Sequence, residues 1–187
     1  MDLVSSPVLI TSAINSGNSS NYQYARPCNT RLIQFAFFGL FGVNWEDIDS
    51  RITEEFPQVE LLSTDSLLNQ MQERISPMLI DVHEIEEYKI SHLQTAVNVK
   101  TAEEIAQLIT DKSTPIVVYC SVGYRSAGVA AGLQGMGYEN VLSLQHSIFE
   151  WANKNYPMID DQGDTDKVHP FNRAWGALVA SRFHQYP

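Results

Sequence analysis

From residue 59 onward the chain repeats one pattern. A short run of β-branched or aromatic residues gives way to a longer stretch with apolar residues three or four apart. The first kind reads as a buried strand and the second as an amphipathic helix. Strands are predicted at Val59–Leu62, Met78–Val82, Ala96–Val99, Ile116–Tyr119 and 140–144. Between them, Ser63 or Thr64 caps a helix with Leu67, Met71 and Ile75 on one side. Glu84–Tyr88 is a short helix, and Thr101 with Glu104 has the spacing of a capping box ahead of Ile105, Leu108 and Ile109. A helix from Arg125 carries Val129, Leu133 and Met136 and stops at Gly137, and another covers 147–155. Repeated βα units predict an α/β fold: a central, mainly parallel five-stranded sheet with helices on both faces.

The flanks read differently. Asn44 is placed as an N-cap, with Glu46 and Asp47 in the first turn, where the helix dipole favours acids. Val43 and Ile48 are spaced as a hydrophobic staple; Ile48, Ile52 and Phe56 form a stripe; Pro57 ends the helix. The rest of this helix is acidic and reads as a solvated face. Near the C-terminus, Pro170 is placed near the start of a last helix with Phe171, Trp175 and Leu178 on one side, expected to dock on the domain. The expected parts are a flexible leader over 1–43 and an acidic amphipathic helix over 44–60. The α/β domain follows over 61–157, then an acidic loop and docking helix over 158–187. The fold is thus expected to carry N- and C-terminal helical extensions.

Composition narrows the picture. The chain has 187 residues, 44% of them hydrophobic, enough for one core of ordinary size. Its net charge of −10 argues against nucleic acid and anionic membrane surfaces as partners. Cys28 and Cys120 form no disulfide framework and no zinc spacing, which fits a reducing, cytoplasmic setting. Residues 1–30 are rich in Ser, Asn and Thr, and Met1-Asp2 provides no basic start for a secretory signal. Cys28 in this leader reads as an idle thiol, the alternative being a resolving partner for Cys120. Leu32–Val43 is almost wholly apolar but far short of the about 20 residues that span a bilayer. Packing on the domain is favoured for it over membrane contact or self-association. Asp160, Asp161, Asp164 and Asp166 lack the calcium-loop spacing and read as a polar surface loop. His92, His169 and His184 lack metal-ligand spacing and read as structural. No metal and no cofactor are expected.

One stretch carries the chemistry. Ile116–Tyr119 runs into Cys120, then a loop of Ser121, Val122, Gly123 and Tyr124, then a helix opening at Arg125. A loop entering a helix N-terminus presents unpaired backbone N–H groups, and Gly123 lets it turn inward without a Cβ clash. Those donors favour a thiolate or a persulfide anion. Arg125 is the only charged residue between Lys112 and Glu139, and Ser126 adds a hydroxyl donor or cap. From this pattern alone, a buried inert cysteine stands beside the nucleophile as a reading.

The same residues carry a resemblance. Cys120-Ser121-Val122-Gly123-Tyr124-Arg125-Ser126 resembles the active-site loop C-x-x-G-x-R-[ST] of the rhodanese-like, or sulfurtransferase, domain family. Leu79–Glu84, Glu87-Tyr88, Ser91–Leu93 and Ala96–Val99 resemble that family's opening motifs, and Val141–Leu144 with Ile148–Trp151 its closing strand and helix. The resemblance covers residues 61–157. It implies a single-domain sulfurtransferase that moves a sulfane sulfur from a donor such as thiosulfate to a thiol or cyanide acceptor, or to an acceptor protein, through a persulfide on Cys120. Cys120 and Arg125 are then catalytic, with Ser121, Val122, Gly123, Tyr124, Ser126, Asp81 and His83 lining the substrate. Asp81 is expected to hold neighbours in place. The competing classes are a non-catalytic module of the same fold and a phosphatase or arsenate reductase, whose loop is one residue longer to enclose a tetrahedral oxyanion.

Three departures from the family pattern stand out. His83 replaces an arginine, and Gln94-Thr95 replaces a Pro-Gly type turn. His146 stands where glycine is usual before the last helix, where it either crowds the mouth of the site or donates a hydrogen bond. His83 reads as a tolerated surface-side exchange, the alternative being a change that weakens donor binding or makes it pH-dependent.

Overall fold

The computed structural model describes residues 43–73 and 77–187. The expected leader through residue 42, Cys28, most of the apolar run at Leu32–Val43, and Ile75 lie outside the described residues. Val43, the last residue of that run, is buried in the core. No described helix is long and apolar enough to cross a membrane.

Five parallel strands form the central sheet: β1 (Glu60–Leu62), β2 (Met78–Asp81), β3 (Val97–Asn98), β4 (Ile116–Tyr119) and β5 (Val141–Leu144), in the order β1-β5-β4-β2-β3. Six helices accompany them: α1 (Trp45–Glu55), α2 (Thr64–Gln72), α3 (Ile85–Ile90), α4 (Ala102–Leu108), α5 (Tyr124–Gly135) and α6 (Ser147–Asn153). The path runs one way across the sheet from β1 through β2 to β3, then back through β4 to β5. Right-handed crossovers therefore put α2 and α3 on one face and α4 and α5 on the other. Helix α6 packs with α2, and α1 packs with α5.

Neighbouring strands β2 and β4 send their chains to opposite faces. A crevice opens beyond the C-terminal ends of such a pair. Asp81 ends β2 in register with Tyr119, which ends β4, so Asp81 and Cys120 meet at the crevice. Every residue of β4 is buried, as expected for the central strand of a parallel sheet covered on both faces.

Local chemistry accounts for the element ends. The Asn44 side chain accepts the Asp47 N–H at the start of α1, and Ser63 accepts the Ser66 N–H at the start of α2. The capping box at Thr101 and Glu104 is complete. Ile48 and Ile52 of α1 are buried in the same core as the sheet, so the acidic helix is anchored by its apolar stripe.

The C-terminal extension differs from the expected docking helix. A hairpin of β6 (Met158–Asp160) and β7 (Gly163–Thr165) occupies the acidic stretch. Two 3-10 turns, Trp175–Leu178 and Ser181–Phe183, replace the helix. The Asn172 side chain accepts the N–H groups of Ala174 and Trp175, so helical winding starts late. Gly176 lies so close to Pro170 and His184 that a Cβ there would sit 3.0 Å from the proline. Phe171 consequently leaves the expected apolar face and stays exposed, whereas Leu178, Val179 and Phe183 are buried.

Two of the departures from the family pattern keep glycine-like backbone. Thr95 has φ 69° and His146 has φ 55°. Left-handed backbone is disfavoured for β-branched residues, and Thr95 is exposed. Thr95→Gly is expected to stabilise the fold by about 1 kcal/mol in chemical denaturation. Ile52→Ala, which empties a site in the core between α1 and the domain, is expected to cost about 2–5 kcal/mol in the same measurement.

Candidate active site at the end of the central strand

Cys120 leaves β4 fully buried, as a free thiol. The loop after it is shaped by α6. The carbonyls of Cys120 and Ser121 accept the N–H groups of Ile148 and Phe149, each at 3.1 Å. The Cys120 N–H donates to the Ser147 hydroxyl, which in turn donates to the Leu144 carbonyl. With those carbonyls directed at α6, the Gly123 N–H faces the sulfur and lies 3.2 Å from Sγ. Gly123 has φ 98°, and a Cβ there would sit 3.3 Å from the Leu144 carbonyl. The turn and the close approach to β5 both require glycine.

Ser126 stands 3.8 Å from Sγ through its hydroxyl, 3.0 Å from the Gly123 carbonyl and 2.9 Å from Ser143 Oγ. The hydroxyl has one proton. It serves the sulfur or the carbonyl, and Ser143 can donate to its oxygen.

Arg125 and Glu87 form the main charged pair. Nη1 and Nη2 of Arg125 donate to the two carboxylate oxygens of Glu87 at 2.9 and 3.0 Å, and Nη2 also donates to Ser121 Oγ at 3.1 Å. Glu87 is buried, with 4% of its side chain exposed against 36% for Arg125. Burial pushes the Glu87 carboxyl up, but the hydrogen bonds from Arg125 and the charge of His83 outweigh it and hold the pKa below its usual value. For the Cys120 thiol, burial again acts upward. The Arg125 charge, then His83, then the backbone N–H groups of Ser126 and Gly123 bring the pKa below that of an ordinary thiol.

His83 is buried, which corrects its reading as a surface-side exchange. Its Nδ1 lies 2.8 Å from Asp81 Oδ1, and its Nε2 lies 3.0 Å from Ser121 Oγ. The Asp81 carboxylate also accepts the His83 backbone N–H, and Asn98 Nδ2 donates to both the Asp81 and His83 carbonyls. Asp81 therefore contacts His83 and orients it.

Of the residues expected to line the site, Cys120, Ser121, Gly123, Ser126, Arg125, Asp81 and His83 come together. Val122 is buried in the hydrophobic core cluster. Tyr124 turns to α1, where its hydroxyl donates to Glu55 and the Arg51 guanidinium lies over its ring. His146 also faces α1: its ring lies 4.3 Å from that of Trp45, and its Nε2 is 3.0 Å from the Asp49 carboxylate. Its hydrogen bond is therefore a local one, to Asp49 of α1.

Two residues at the site were not expected there. Glu87 had a signal in the chain, as part of the Glu87-Tyr88 motif that carries the family resemblance, and it lies on the buried side of α3 with Ile90. His169 had none. Its Nδ1 lies 4.0 Å from Glu87, and Phe171 beside it lies 6.0 Å from the Arg125 guanidinium. Only the path of the C-terminal segment brings them there.

Arg125→Met strands the buried Glu87 carboxylate. The expected cost is roughly 3 kcal/mol, the low end for a buried pair because part of Arg125 stays in water. Arg125→Met combined with Glu87→Gln is expected to recover most of it, as read by denaturant melts of both variants.

Residues 64–154 match the family of the rhodanese-like domain. The tRNA uridine(34) hydroxylase of Photorhabdus laumondii is 28% identical over 120 residues, covering 60% of this chain and 32% of that protein. The adenylyltransferase and sulfurtransferase UBA4 of Candida albicans is 35% identical over 92 residues, covering 44% of this chain and 21% of that protein. The chain thus spans less than a third of the length of either relative. Among solved structures, the thiosulfate sulfurtransferase from Pseudomonas aeruginosa aligns with a TM-score of 0.54 at 19% identity, over 62% of this chain and 23% of that one. The polysulfide-sulfur transferase from Wolinella succinogenes aligns with a TM-score of 0.50 at 19% identity, over 62% of this chain and 88% of that one. At these identities the structural likeness speaks for the fold alone. Residues 64–154 are a rhodanese-like domain.

Proposed function

We propose that the chain is a sulfurtransferase that carries a sulfane sulfur on Cys120. The observation that carries this reading is the Gly123 N–H directed at Sγ at 3.2 Å, inside a loop whose first two carbonyls are turned to α6. That arrangement favours a sulfur anion, and the short span from Cys120 to Arg125 suits one sulfur atom. Two of the relatives described above are named as sulfurtransferases, which supports the same chemistry here.

The reaction has two steps. The Cys120 thiolate attacks the outer sulfur of a donor such as thiosulfate. An S–S bond forms to Cys120, the donor's S–S bond breaks, and sulfite leaves with its electron pair. The persulfide anion is then held by the loop N–H groups. An acceptor nucleophile, such as cyanide, a small thiol or a protein cysteine, attacks the outer sulfur and releases the Cys120 thiolate. With cyanide the product is thiocyanate.

Arg125 offsets charge beside the sulfur, and its exposed edge orients the anionic donor. Glu87 and Ser121 hold Arg125 in place, and Asp81 holds His83. Ser126 donates to the sulfur when its proton leaves the Gly123 carbonyl. A reducing, cytoplasmic setting keeps the thiol free for this cycle.

Mass spectrometry of the full chain after thiosulfate treatment tests the proposal. Cys120 is expected to gain one sulfur, lose it on addition of cyanide, and show ping-pong kinetics. Cys120→Ser is expected to abolish both loading and turnover. An unloaded Cys120 after exposure to thiosulfate and polysulfide, or full turnover in Cys120→Ser, overturns it.

A further inference from the structure

Among the described residues, His83 is the one neutralisable cation-former buried beside the Cys120 loop, with 3% of its surface exposed. The groups that face it come from every surrounding element. Asp81 from β2 lies 2.8 Å from Nδ1. The Tyr119 ring from β4 stands edge-on, with centroids 6.2 Å apart. Cys120 and Ser121 come from the loop, Glu87 from α3 and Arg125 from α5. His169 approaches from the C-terminal segment, 4.0 Å from Glu87.

Proton placement follows from these partners. Nδ1 lies 2.8 Å from a carboxylate oxygen but out of line for a hydrogen bond; two lone pairs repel at that distance, so in the neutral ring the proton sits on Nδ1. Nε2 then presents a lone pair, and the Ser121 hydroxyl, 3.0 Å away, donates to it. When the ring takes a second proton, Nε2–H becomes the donor and Ser121 Oγ the acceptor. The Ser121 proton then turns to Glu87 Oε1, 3.5 Å away. Arg125 Nη2 donates to Ser121 Oγ in either state. His83 can therefore gain or lose a charge while its link to the loop persists.

The charge balance gives this freedom a consequence. With Cys120 ionised, Asp81, Glu87 and the thiolate are three anions gathered around one permanent cation, Arg125. A protonated His83 supplies the second cation. Asp81 and Glu87 act in the same direction on the ring: they outweigh burial and the opposing Arg125 charge and raise the His83 pKa above its ordinary value.

We infer that His83 is a positioning residue that holds the loop through Ser121 and couples its own protonation to ionisation of the Cys120 thiol. The inference builds on Cys120 as the reactive thiol but not on any sulfur donor, so it can fail or stand separately from sulfur transfer. Coupling of this kind is reciprocal: the thiolate favours the imidazolium as much as the imidazolium favours the thiolate.

Two measurements on the full chain test it. The first is the pH profile of Cys120 alkylation by iodoacetamide, followed on the Cys120 peptide so that Cys28 does not contribute. His83→Gln is expected to shift the midpoint to higher pH, while His83→Arg, with its fixed charge, keeps it at or below the wild-type position. A folded His83→Gln variant with the wild-type midpoint overturns the inference. The second keeps His83 in place and reads its ring nitrogens by NMR as pH is varied. The His83 midpoint is expected to fall in Cys120→Ala relative to wild type, with the proton on Nδ1 in the neutral form. An identical His83 titration in the two proteins, or a neutral ring protonated on Nε2, overturns it.

Discussion

Everything about the site depends on where two carbonyls point. The peptide groups after β4 could face the sulfur with either edge. Because the Cys120 and Ser121 carbonyls accept the first free N–H groups of α6, the Gly123 N–H is the edge left for the sulfur. The N-terminus of a helix needs acceptors and a thiolate needs donors, and one loop satisfies both. The lone glycine of the loop follows from this, since any Cβ at residue 123 would press on the Leu144 carbonyl.

The second constraint is charge in a dry place. Asp81 and His83 are almost wholly buried and Glu87 nearly so. Buried charges persist when each has a counter-charge and hydrogen bonds. Glu87 finds both in Arg125, through two parallel bonds that fix the guanidinium plane. Ser121 joins the two halves of the cluster, since it contacts His83, Arg125 and Glu87. A residue beside Cys120 thus links the cysteine loop to groups supplied by β2, α3 and α5. That link ties the site to the sheet order, because only the reversal between β2 and β4 puts these elements side by side.

The family departures show how the backbone tolerates exchange. At residues 95 and 146 the left-handed conformation is kept without glycine. His146 offsets that strain by packing its tilted ring on Trp45 and pairing with Asp49, contacts that also fasten α1 to the domain. Thr95 is exposed and makes no comparable contact among the described hydrogen bonds. The exchange at His83 is of another kind: it puts a titratable ring at the heart of the site, in hydrogen-bond contact with the loop.

Much of this was legible in the residues alone. The alternation of β-branched runs with helical stripes predicts five parallel strands, because strands covered on both faces read as unbroken apolar runs and helices covered on one face as stripes three or four apart. Caps at Asn44 and Thr101 are equally plain, and the one ahead of α2 narrows to Ser63 or Thr64, since caps depend on groups within three residues of one another. The cysteine loop, its glycine and its arginine are contiguous and could be read as a unit. What only the tertiary structure decided were the meetings between distant segments. Glu87 clasping Arg125, His83 turned inward to Ser121, His146 turned to α1, and the C-terminal segment carrying His169 to Glu87 all depend on which elements pack together. Neither hydrophobic period nor local spacing encodes such contacts, because a side chain's partner across a crevice is set by sheet order and crossover hand rather than by its neighbours in the chain. The replacement of the last helix by short turns has the same origin: Gly176 is pinned against Pro170 and His184, a contact that exists only once the extension has docked.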